Sequence, residues 1–172
     1  MSVTVEPIVL RAPDPTDRDQ VSAMVRAVGA FRDSEVAIAL EVFDDATTNP
    51  GKDYFGLGAY DCDRLVGFTL YGRTPGTETT WDLYWIVVDP EGHRRGIGRQ
   101  LMDATEAAMR EQGGTLIVVE TSSRDDYGPT RNFYEALLYD QAAYIADYYA
   151  PGDDLIVFTK RFPSQSKTGD HG

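Results

Sequence analysis

Residues 79–114 read TTWDLYWIVVDPEGHRRGIGRQLMDATEAAMREQGG and combine a strand, a glycine loop and a helix. Residues 79–88 are rich in β-branched and aromatic side chains, which favour a strand, and Asp89-Pro90 ends it. Apolar side chains at helical spacing then predict a helix over residues 98–112, and Gly113-Gly114 stops it. The loop HRRGIG at 93–98 therefore leads directly into a helix.

A loop of this kind is suited to binding a phosphate group. The first N–H groups of a helix have no partner within the helix and lie at its positive dipole end. Gly96 and Gly98 would let a ligand approach that backbone closely, and Arg94, Arg95 and Arg99 add positive charge. The loop lacks the lysine of a Walker loop and the third glycine of a dinucleotide fingerprint. The alternative is a surface turn with solvated arginines.

The rest of the chain divides into short strands and helices at glycine, proline and aspartate residues, which indicates an α/β fold with a mixed sheet. The apolar run at 115–119 is typical of a strand buried on both faces, as in a parallel pair. In order, we predict a strand at 3–11, a helix from Asp14-Pro15 to Gly29, a helix at 34–46, strands at 53–60, 64–72 and 79–88, a helix at 98–112, a strand at 115–119, a helix at 130–138, and strands at 142–149 and 155–161.

Composition and charge disfavour several classes of function. The 172 residues suffice for one domain, which we expect over residues 1–162, with a disordered tail over 163–172. A net charge of −12 disfavours partners such as nucleic acid and an anionic membrane surface. With one cysteine, Cys62, and two histidines, we predict neither a disulfide nor a metal site, although counting alone leaves a carboxylate-bound cation open. No leader-like segment or membrane-spanning run is present, which predicts a cytoplasmic protein.

Two motifs lie on this framework. The first is HRRGIG at 93–98, and the second is NFYEAL at 132–137, a helix carrying Phe-Tyr before an apolar strand. Together with the order of elements over residues 5–161, they resemble the GNAT acetyltransferase superfamily. His93 replaces the usual Arg or Gln of the first motif, and Leu138 replaces the glycine that usually follows the second. The resemblance implies a GNAT-like fold, with a mostly antiparallel central sheet splayed between the strands at 79–88 and 115–120 and helices on both faces.

The resemblance implies acetyl-CoA as the donor of the acetyl group. Family members bind the CoA pyrophosphate with the N–H groups of the glycine loop, which here spans Arg94, Arg95, Gly96, Ile97, Gly98 and Arg99. They bind the pantetheine arm along the preceding strand, which here is the backbone of Trp85, Ile86, Val87 and Val88. Asn132 and Tyr134 are further positions at which the resemblance implies contact with the donor. Where the two strands splay apart, unpaired backbone groups can be satisfied by the amides of the arm.

Three side chains are candidates for the chemistry. Transfer to an amine requires removal of a proton from the ammonium group and benefits from a proton for the departing thiolate. Tyr134 corresponds to the family tyrosine that approaches the CoA sulfur, or it is a core aromatic residue. Glu120 corresponds to the base of N-terminal protein acetyltransferases, or it is a satisfied strand-end residue. Asp82, eleven positions before His93, corresponds to a catalytic glutamate of histone-acetylating relatives, or it faces solvent. Either carboxylate could be the base while the other binds the ammonium group.

Aromatic residues surround these candidates. Strand alternation places Trp81 and Trp85 on one face and Asp82 and Tyr84 on the other. Related N-terminal acetyltransferases hold a peptide with a Tyr-Tyr pair near the final hairpin, but we interpret the tyrosines there as packing residues because strands favour tyrosine. These residues are Tyr127, Tyr144, Tyr148 and Tyr149.

The charge is unevenly distributed along the chain. Residues 93–99 carry three arginines and no acid, whereas residues 120–154 carry eight acids and two arginines. This favours a cationic acceptor, or it is a solvated acidic surface. The sequence thus predicts an N-acetyltransferase that moves the acetyl group of acetyl-CoA directly to a primary amine of a small molecule or to the amino-terminal residue of a peptide. The alternatives are a non-catalytic CoA-binding sensor or scaffold and a transferase of a longer acyl group. A homodimer is common in the family, but the sequence predicts no interface.

Overall fold

The computed structural model describes residues 7–91 and 96–164. The first residues of the predicted strand at 3–11, the loop residues Arg94 and Arg95, and most of the predicted tail lie outside the described residues. Within the described part, a 3₁₀ turn precedes α1 and another precedes α4. The elements are β1 (Val9–Arg11), α1 (Arg18–Val28), α2 (Asp33–Thr48), β2 (Phe55–Asp61), β3 (Arg64–Arg73), β4 (Thr80–Val88), α3 (Ile97–Glu111), β5 (Leu116–Ser122), α4 (Gly128–Ala136), β6 (Asp140–Ala150) and β7 (Asp153–Arg161).

The strands form a single mixed sheet in the order β1-β2-β3-β4-β5-β7-β6. All neighbouring pairs are antiparallel except β4 and β5, which are parallel. Their pairing runs from Thr80–Leu116 to Leu83–Val119 and stops there, although both strands continue. The predicted mostly antiparallel sheet with a splay between these two strands is therefore confirmed. Among the described helices, none is long and apolar enough to cross a bilayer.

Local sequence signals fix the ends of α1. Asp14 accepts a hydrogen bond from the backbone N–H of Thr16 at 2.8 Å, and Asp17 accepts one from the N–H of Asp14 at 3.0 Å. Gly29 ends the helix with φ at 74°, a left-handed conformation that glycine adopts without a steric penalty. The Asp14 and Asp17 side chains thus cap the 3₁₀ turn that leads into α1, whose own N-cap, Asp17, makes no side-chain bond to the first turn of the helix.

Apolar layers cover both faces of the sheet. Helices α1 and α2 bury one face, where Phe43, Phe68 and Leu70 are fully enclosed. Helices α3 and α4 cover the other face, where Met102 and Met109 of α3 pack with residues of β4, β5 and α4. The place where β4 and β5 separate therefore lies between two helical layers.

A β-bulge in β4 changes which face its side chains reach. Leu70 pairs with Trp85 and Tyr71 pairs with Leu83, so Tyr84 is an extra residue on β4. Trp81 lies in the cluster under α3 and α4, whereas Trp85 packs on the α1–α2 side, with its ring centroid 5.1 Å from that of Phe31. The prediction that both tryptophans share one face is wrong, because an inserted residue interrupts the two-residue alternation.

Candidate active site

A cleft of about 870 Å³ opens where β4 and β5 separate. Most of the residues that the sequence singles out line it: Asp82, Trp85, Ile86, Val87, Val88, Gly96, Gly98, Arg99, Glu120 and Tyr134. Ile97 does not line it, because its side chain is buried with Leu101 beneath the sheet. Asn132 lies on the exposed side of α4 and is also absent from the lining. Arg94 and Arg95 lie outside the described residues.

The backbone at the start of α3 is open at one end of the cleft. Gly96 is the N-cap of α3 and has φ at 68°. Because glycine has no side chain, no side-chain hydrogen bond caps the first turn of the helix. A Cβ built at Gly96 would meet no atom of the described residues within 4 Å, whereas one at Gly98 would lie 3.3 Å from the ring of Phe133 on α4. The first turn contains no acidic residue. The arrangement leaves space and a favourable dipole for an anion beside this helix.

The edge of β4 continues the cleft inward from the helix. Trp85, Ile86 and Val87 pair with β3 on one side, while β5 pairs with β4 only as far as Leu83. Within the part of the chain that the structure describes, backbone groups of residues 85–87 on the β5 side therefore have no strand beside them. Buried backbone groups require partners, and an extended ligand that carries amides can supply them in the manner of an added strand.

Tyr134 extends from α4 into the junction between the two strands. Its side chain is 4% exposed, and its ring lies 5.7 Å from that of Phe133, 5.7 Å from that of Tyr139 and 5.8 Å from that of Phe158. Within the described part of the chain, no hydrogen bond is made to its hydroxyl. Burial raises the pKa of Tyr134, so the phenol keeps its proton at neutral pH. Packing thus holds in place a protonated hydroxyl that has no hydrogen-bond partner among the described residues.

The end of α4 holds the backbone of Tyr134 in place. The N–H of Tyr139 donates to the carbonyl of Tyr134 at 3.0 Å, and the N–H of Leu138 donates to that of Glu135 at 3.0 Å. This is a Schellman motif, with Leu138 at φ 66° in the position that usually carries glycine. The Tyr139 hydroxyl donates to Glu106 at 2.8 Å, which in turn accepts from Lys160 at 3.0 Å. The helix end is therefore anchored to both α3 and β7.

Two carboxylates lie together on the α1–α2 side of the strands. Asp82 is opposite Val118 in the parallel register, and Glu120 follows two residues later on the same face. Asp82 accepts hydrogen bonds from Thr74 at 2.8 Å and from the Tyr84 hydroxyl at 3.3 Å. Burial, and then the charge of Asp82, raises the pKa of Glu120. Neither carboxylate forms a salt bridge with any described residue, so both are free to interact with a cation.

The start of α2 contributes cleft residues that the sequence analysis missed. Phe31, Arg32 and Glu35 line the cleft. Arg32 donates to Asp153 of β7 at 2.8 Å, across 121 positions of sequence, and its backbone N–H donates to Glu35 at 2.6 Å. The sequence contains one signal in this segment, a glutamate three residues after Arg32. That spacing is typical of a helix cap and does not indicate a functional site.

The tyrosines of the final hairpin separate into two groups. Tyr127 and Tyr149 line the cleft, and the pKa of Tyr149 is raised to about 12, chiefly by burial and then by the charge of Glu120. Tyr144 and Tyr148 are about half exposed on β6, and neither belongs to the core. The ring of Tyr148 nevertheless packs edge-to-face on that of Tyr149, with centroids 5.0 Å apart, so the interpretation as a packing residue holds for Tyr148 in part. Strand β6 lies at the edge of the sheet, which leaves these two side chains without a neighbouring layer.

Charge at the cleft is more mixed than the sequence suggests. Of the eight acids in residues 120–154, only Glu120 and Asp153 line the cleft. Asp153 is already engaged by Arg32 and by the hydroxyl of Ser122. Across residues 7–91 and 96–164, no group of three or more His, Cys, Asp or Glu side chains is arranged to hold a metal ion.

The family model of the acetyltransferase (GNAT) family matches residues 23–138, which is more than half of the chain. The chain belongs to the GNAT acetyltransferase family. The family inferred from the two motifs is therefore confirmed, and it places the chain among the acyltransferases. Solved structures of GNAT proteins have the same fold as this chain.

Solved GNAT structures superpose on nearly the whole chain. A Desulfovibrio desulfuricans protein assigned to the family is 34% identical, with a TM-score of 0.86 over 90% of this chain and 99% of that one. The ribosomal-protein-S18-alanine N-acetyltransferase of Escherichia coli is 19% identical, with a TM-score of 0.74 over 95% and 99%. An aminoglycoside 6′-N-acetyltransferase complexed with coenzyme A is 24% identical, with a TM-score of 0.72 over 91% and 99%. The last two likenesses show the fold alone.

One curated relative covers part of the chain. An uncharacterized protein of Mycobacterium leprae is 33% identical over 100 residues, which are 56% of this chain. The chain spans 26% of the length of that relative. The match therefore relates the chain to a segment of a larger protein.

Proposed function

We propose that this GNAT protein transfers the acetyl group of acetyl-CoA directly to a primary amine, either of a small molecule or of the amino-terminal residue of a peptide or protein. The observation that carries the proposal is the convergence of Tyr134, Glu120 and Asp82 on one cleft at the separation of β4 and β5. A proton donor and two carboxylates without salt-bridge partners are what this reaction uses.

The cleft has the features needed to hold a CoA donor. Open space at Gly96 and the uncapped first turn of α3 favour the pyrophosphate, and Arg99 adds charge on the same lining. The unpaired edge at residues 85–87 suits the amides of the pantetheine arm. Arg94 and Arg95 stay predicted contacts.

The catalytic roles follow from the environment of each group. An alkyl amine has a pKa near 10.4 and reaches the cleft as an ammonium ion, so a base has to take a proton before nitrogen can attack. Glu120 is the proposed base, because its raised pKa makes it a stronger proton acceptor than an ordinary glutamate. Asp82, oriented by Thr74 and Tyr84, attracts the ammonium group. The donor supplies an acetyl thioester, and Tyr134 gives a proton to the sulfur as the carbon–sulfur bond breaks.

Direct transfer is favoured over an acyl-enzyme route. Cys62, the single cysteine, is exposed in the turn between β2 and β3 and does not line the cleft. A nucleophilic thiol would have to lie within reach of the thioester carbon. The attacking atom is therefore the nitrogen of the acceptor.

The acceptor end of the cleft fits a cation that carries an apolar group. Asp82 and Glu120 provide the negative charge, while Phe31, Trp85 and Tyr149 provide aromatic surface. Solved relatives act on both kinds of acceptor by name, one on the alanine of ribosomal protein S18 and one on aminoglycosides. The cytoplasmic location and the homodimer stay predictions.

The test is thiol release from acetyl-CoA in the presence of a panel of small amines and of peptides with different amino-terminal residues. We expect release with at least one member, accompanied by an N-acetylated product that mass spectrometry detects. Acetyl-, propionyl- and succinyl-CoA are compared in parallel, and faster turnover of a longer donor would favour the transferase of a longer acyl group. CoA binding without turnover of any amine would favour the sensor or scaffold.

A further inference from the structure

One residue of the cleft lining carries a buried hydroxyl that has no hydrogen-bond partner among the described residues. Two buried side-chain polar atoms among the described residues form no hydrogen bond: Trp81 Nε1 and Thr121 Oγ1. Trp81 lies in the core, away from the cleft, with the Arg73 guanidinium 4.8 Å from its ring. Thr121 lines the cleft and is 4% exposed. An unsatisfied buried hydroxyl destabilises a fold, so such a group on a residue that lines a ligand-sized cleft points to a partner supplied by the ligand.

The position of Thr121 identifies which part of the ligand it meets. Thr121 is two residues beyond Val119, the last residue of β5 that pairs with β4. Strand alternation places its side chain on the face of Val119, which packs in one cluster with Tyr134 and with Ile156, the partner of Thr121 on β7. Glu120 lies on the opposite face, with Asp82. Thr121 is thus on the Tyr134 side of the gap and not on the side of the acceptor carboxylates.

We propose that the Thr121 hydroxyl donates a hydrogen bond to the sulfur of a CoA thioester as the carbon–sulfur bond breaks. This rests on the proposed function. The electron pair of the broken bond goes to sulfur, the proton that neutralises it comes from Tyr134, and Thr121 keeps its own proton throughout. A hydrogen bond to an ionised acceptor is about twice as strong as one between neutral groups, so the contact is strongest when negative charge develops on sulfur. Thr121 is therefore a catalytic residue that stabilises the leaving group.

The test compares Thr121→Val, which has the same shape without the hydroxyl, with Thr121→Ser, which keeps the hydroxyl. We expect Thr121→Val to lower kcat about tenfold, a 1.4 kcal/mol loss at the transition state, and Thr121→Ser to stay within about threefold of the wild-type protein. Because valine removes an unsatisfied group, ligand-free Thr121→Val should melt at the wild-type temperature or a few degrees above it.

Two further measurements separate this role from a structural one. Thr121→Val should weaken binding of CoA about threefold or more while leaving the affinity for desulfo-CoA, which lacks the sulfur, unchanged. Thr69→Val is the matched control, because the Thr69 hydroxyl is buried and bonded to Thr105 at 2.8 Å, outside the cleft lining. That control should lose stability and keep its kcat.

Several results would overturn the proposal. A Thr121→Val variant with wild-type kcat and wild-type preference for CoA over desulfo-CoA would show that the hydroxyl does not meet the sulfur. Loss of kcat together with a lower melting temperature would mean that the hydroxyl stabilises the fold instead. If the wild-type protein acetylates no amine, the proposed function fails, while the comparison of CoA with desulfo-CoA still decides the role of Thr121.

Discussion

Leu138→Gly tests how the end of α4 is built. Leu138 has φ at 66°, a conformation in which its Cβ crowds the following carbonyl oxygen. Glycine removes that Cβ while leaving the two hydrogen bonds of the Schellman motif, to Tyr134 and Glu135, in place. The substitution therefore relieves backbone strain at the helix that carries the candidate acid.

The expected change in the free energy of unfolding follows from the exposure and the backbone conformation of Leu138. A non-glycine residue in the left-handed region destabilises the fold by about 1–2 kcal/mol. Glycine avoids this strain but loses about 0.5–1 kcal/mol of stability, because its unfolded chain has more conformational freedom. Leu138 is 78% exposed, so truncation loses about a fifth of the roughly 1.5–3 kcal/mol of a buried leucine, or about 0.5 kcal/mol. We expect Leu138→Gly to be more stable than Leu138→Ala by about 0.5–1 kcal/mol and to equal or exceed the wild-type protein.

Urea unfolding of the two variants measures the difference, because both lose the same contacts and only one keeps a Cβ. Asn132, exposed in the middle of α4, supplies the control pair. There glycine should be less stable than alanine by about 1 kcal/mol, so the sign of the difference reverses within six residues. Leu138→Gly proving less stable than Leu138→Ala would refute the strain at this position.

Three further predictions concern the cleft. Tyr134→Phe should lower kcat about 10²–10⁴-fold with little change in acetyl-CoA affinity, since only the hydroxyl is lost; an unchanged kcat removes Tyr134 from the chemistry. The rate should fall as pH decreases through the raised pKa of Glu120, because the base then becomes protonated. Asp82→Asn should move this acidic limb of the pH–rate profile to lower pH, because it removes the charge that raises the pKa of Glu120. An acidic limb at the same pH in Asp82→Asn contradicts the coupling of the two carboxylates. Gly98→Glu should weaken acetyl-CoA binding at least about tenfold in calorimetry, because the new side chain meets Phe133 and adds a negative charge beside the pyrophosphate. The control Gln112→Glu, at the far end of α3, should bind acetyl-CoA with the wild-type affinity.

Much of the framework was predictable because local signals mark its boundaries. Asp14 and Gly29 enclose α1, and the glycine loop at 96–98 starts α3, as the structure shows. The apolar run of β5 correctly indicated a parallel neighbour, because a strand covered on both faces has no polar alternation. Cleft residues on β4, β5 and α4 followed from motifs that lie on those same elements.

The missed features depend on contacts between distant segments. The bulge at Tyr84 is set by pairing with β3, and no residue type in β4 announces it. Arg32 reaches Asp153 across the cleft only because α2 starts above the β4–β5 gap. Thr121 reads as an ordinary strand residue until its lack of a hydrogen-bond partner is known. Such features arise from tertiary geometry, which periodicity does not encode.

Direct transfer of an acetyl group from acetyl-CoA to an amine within this cleft is open to a decisive experiment. The most direct measurement is a single-turnover reaction with deuterium-labelled acetyl-CoA, in which mass spectrometry follows both the protein and the amine product. We expect the label to appear on the amine nitrogen, the protein mass never to increase, and Glu120→Gln to slow the transfer. A labelled protein that forms before the product, or no labelled amine in the presence of bound CoA, would contradict it.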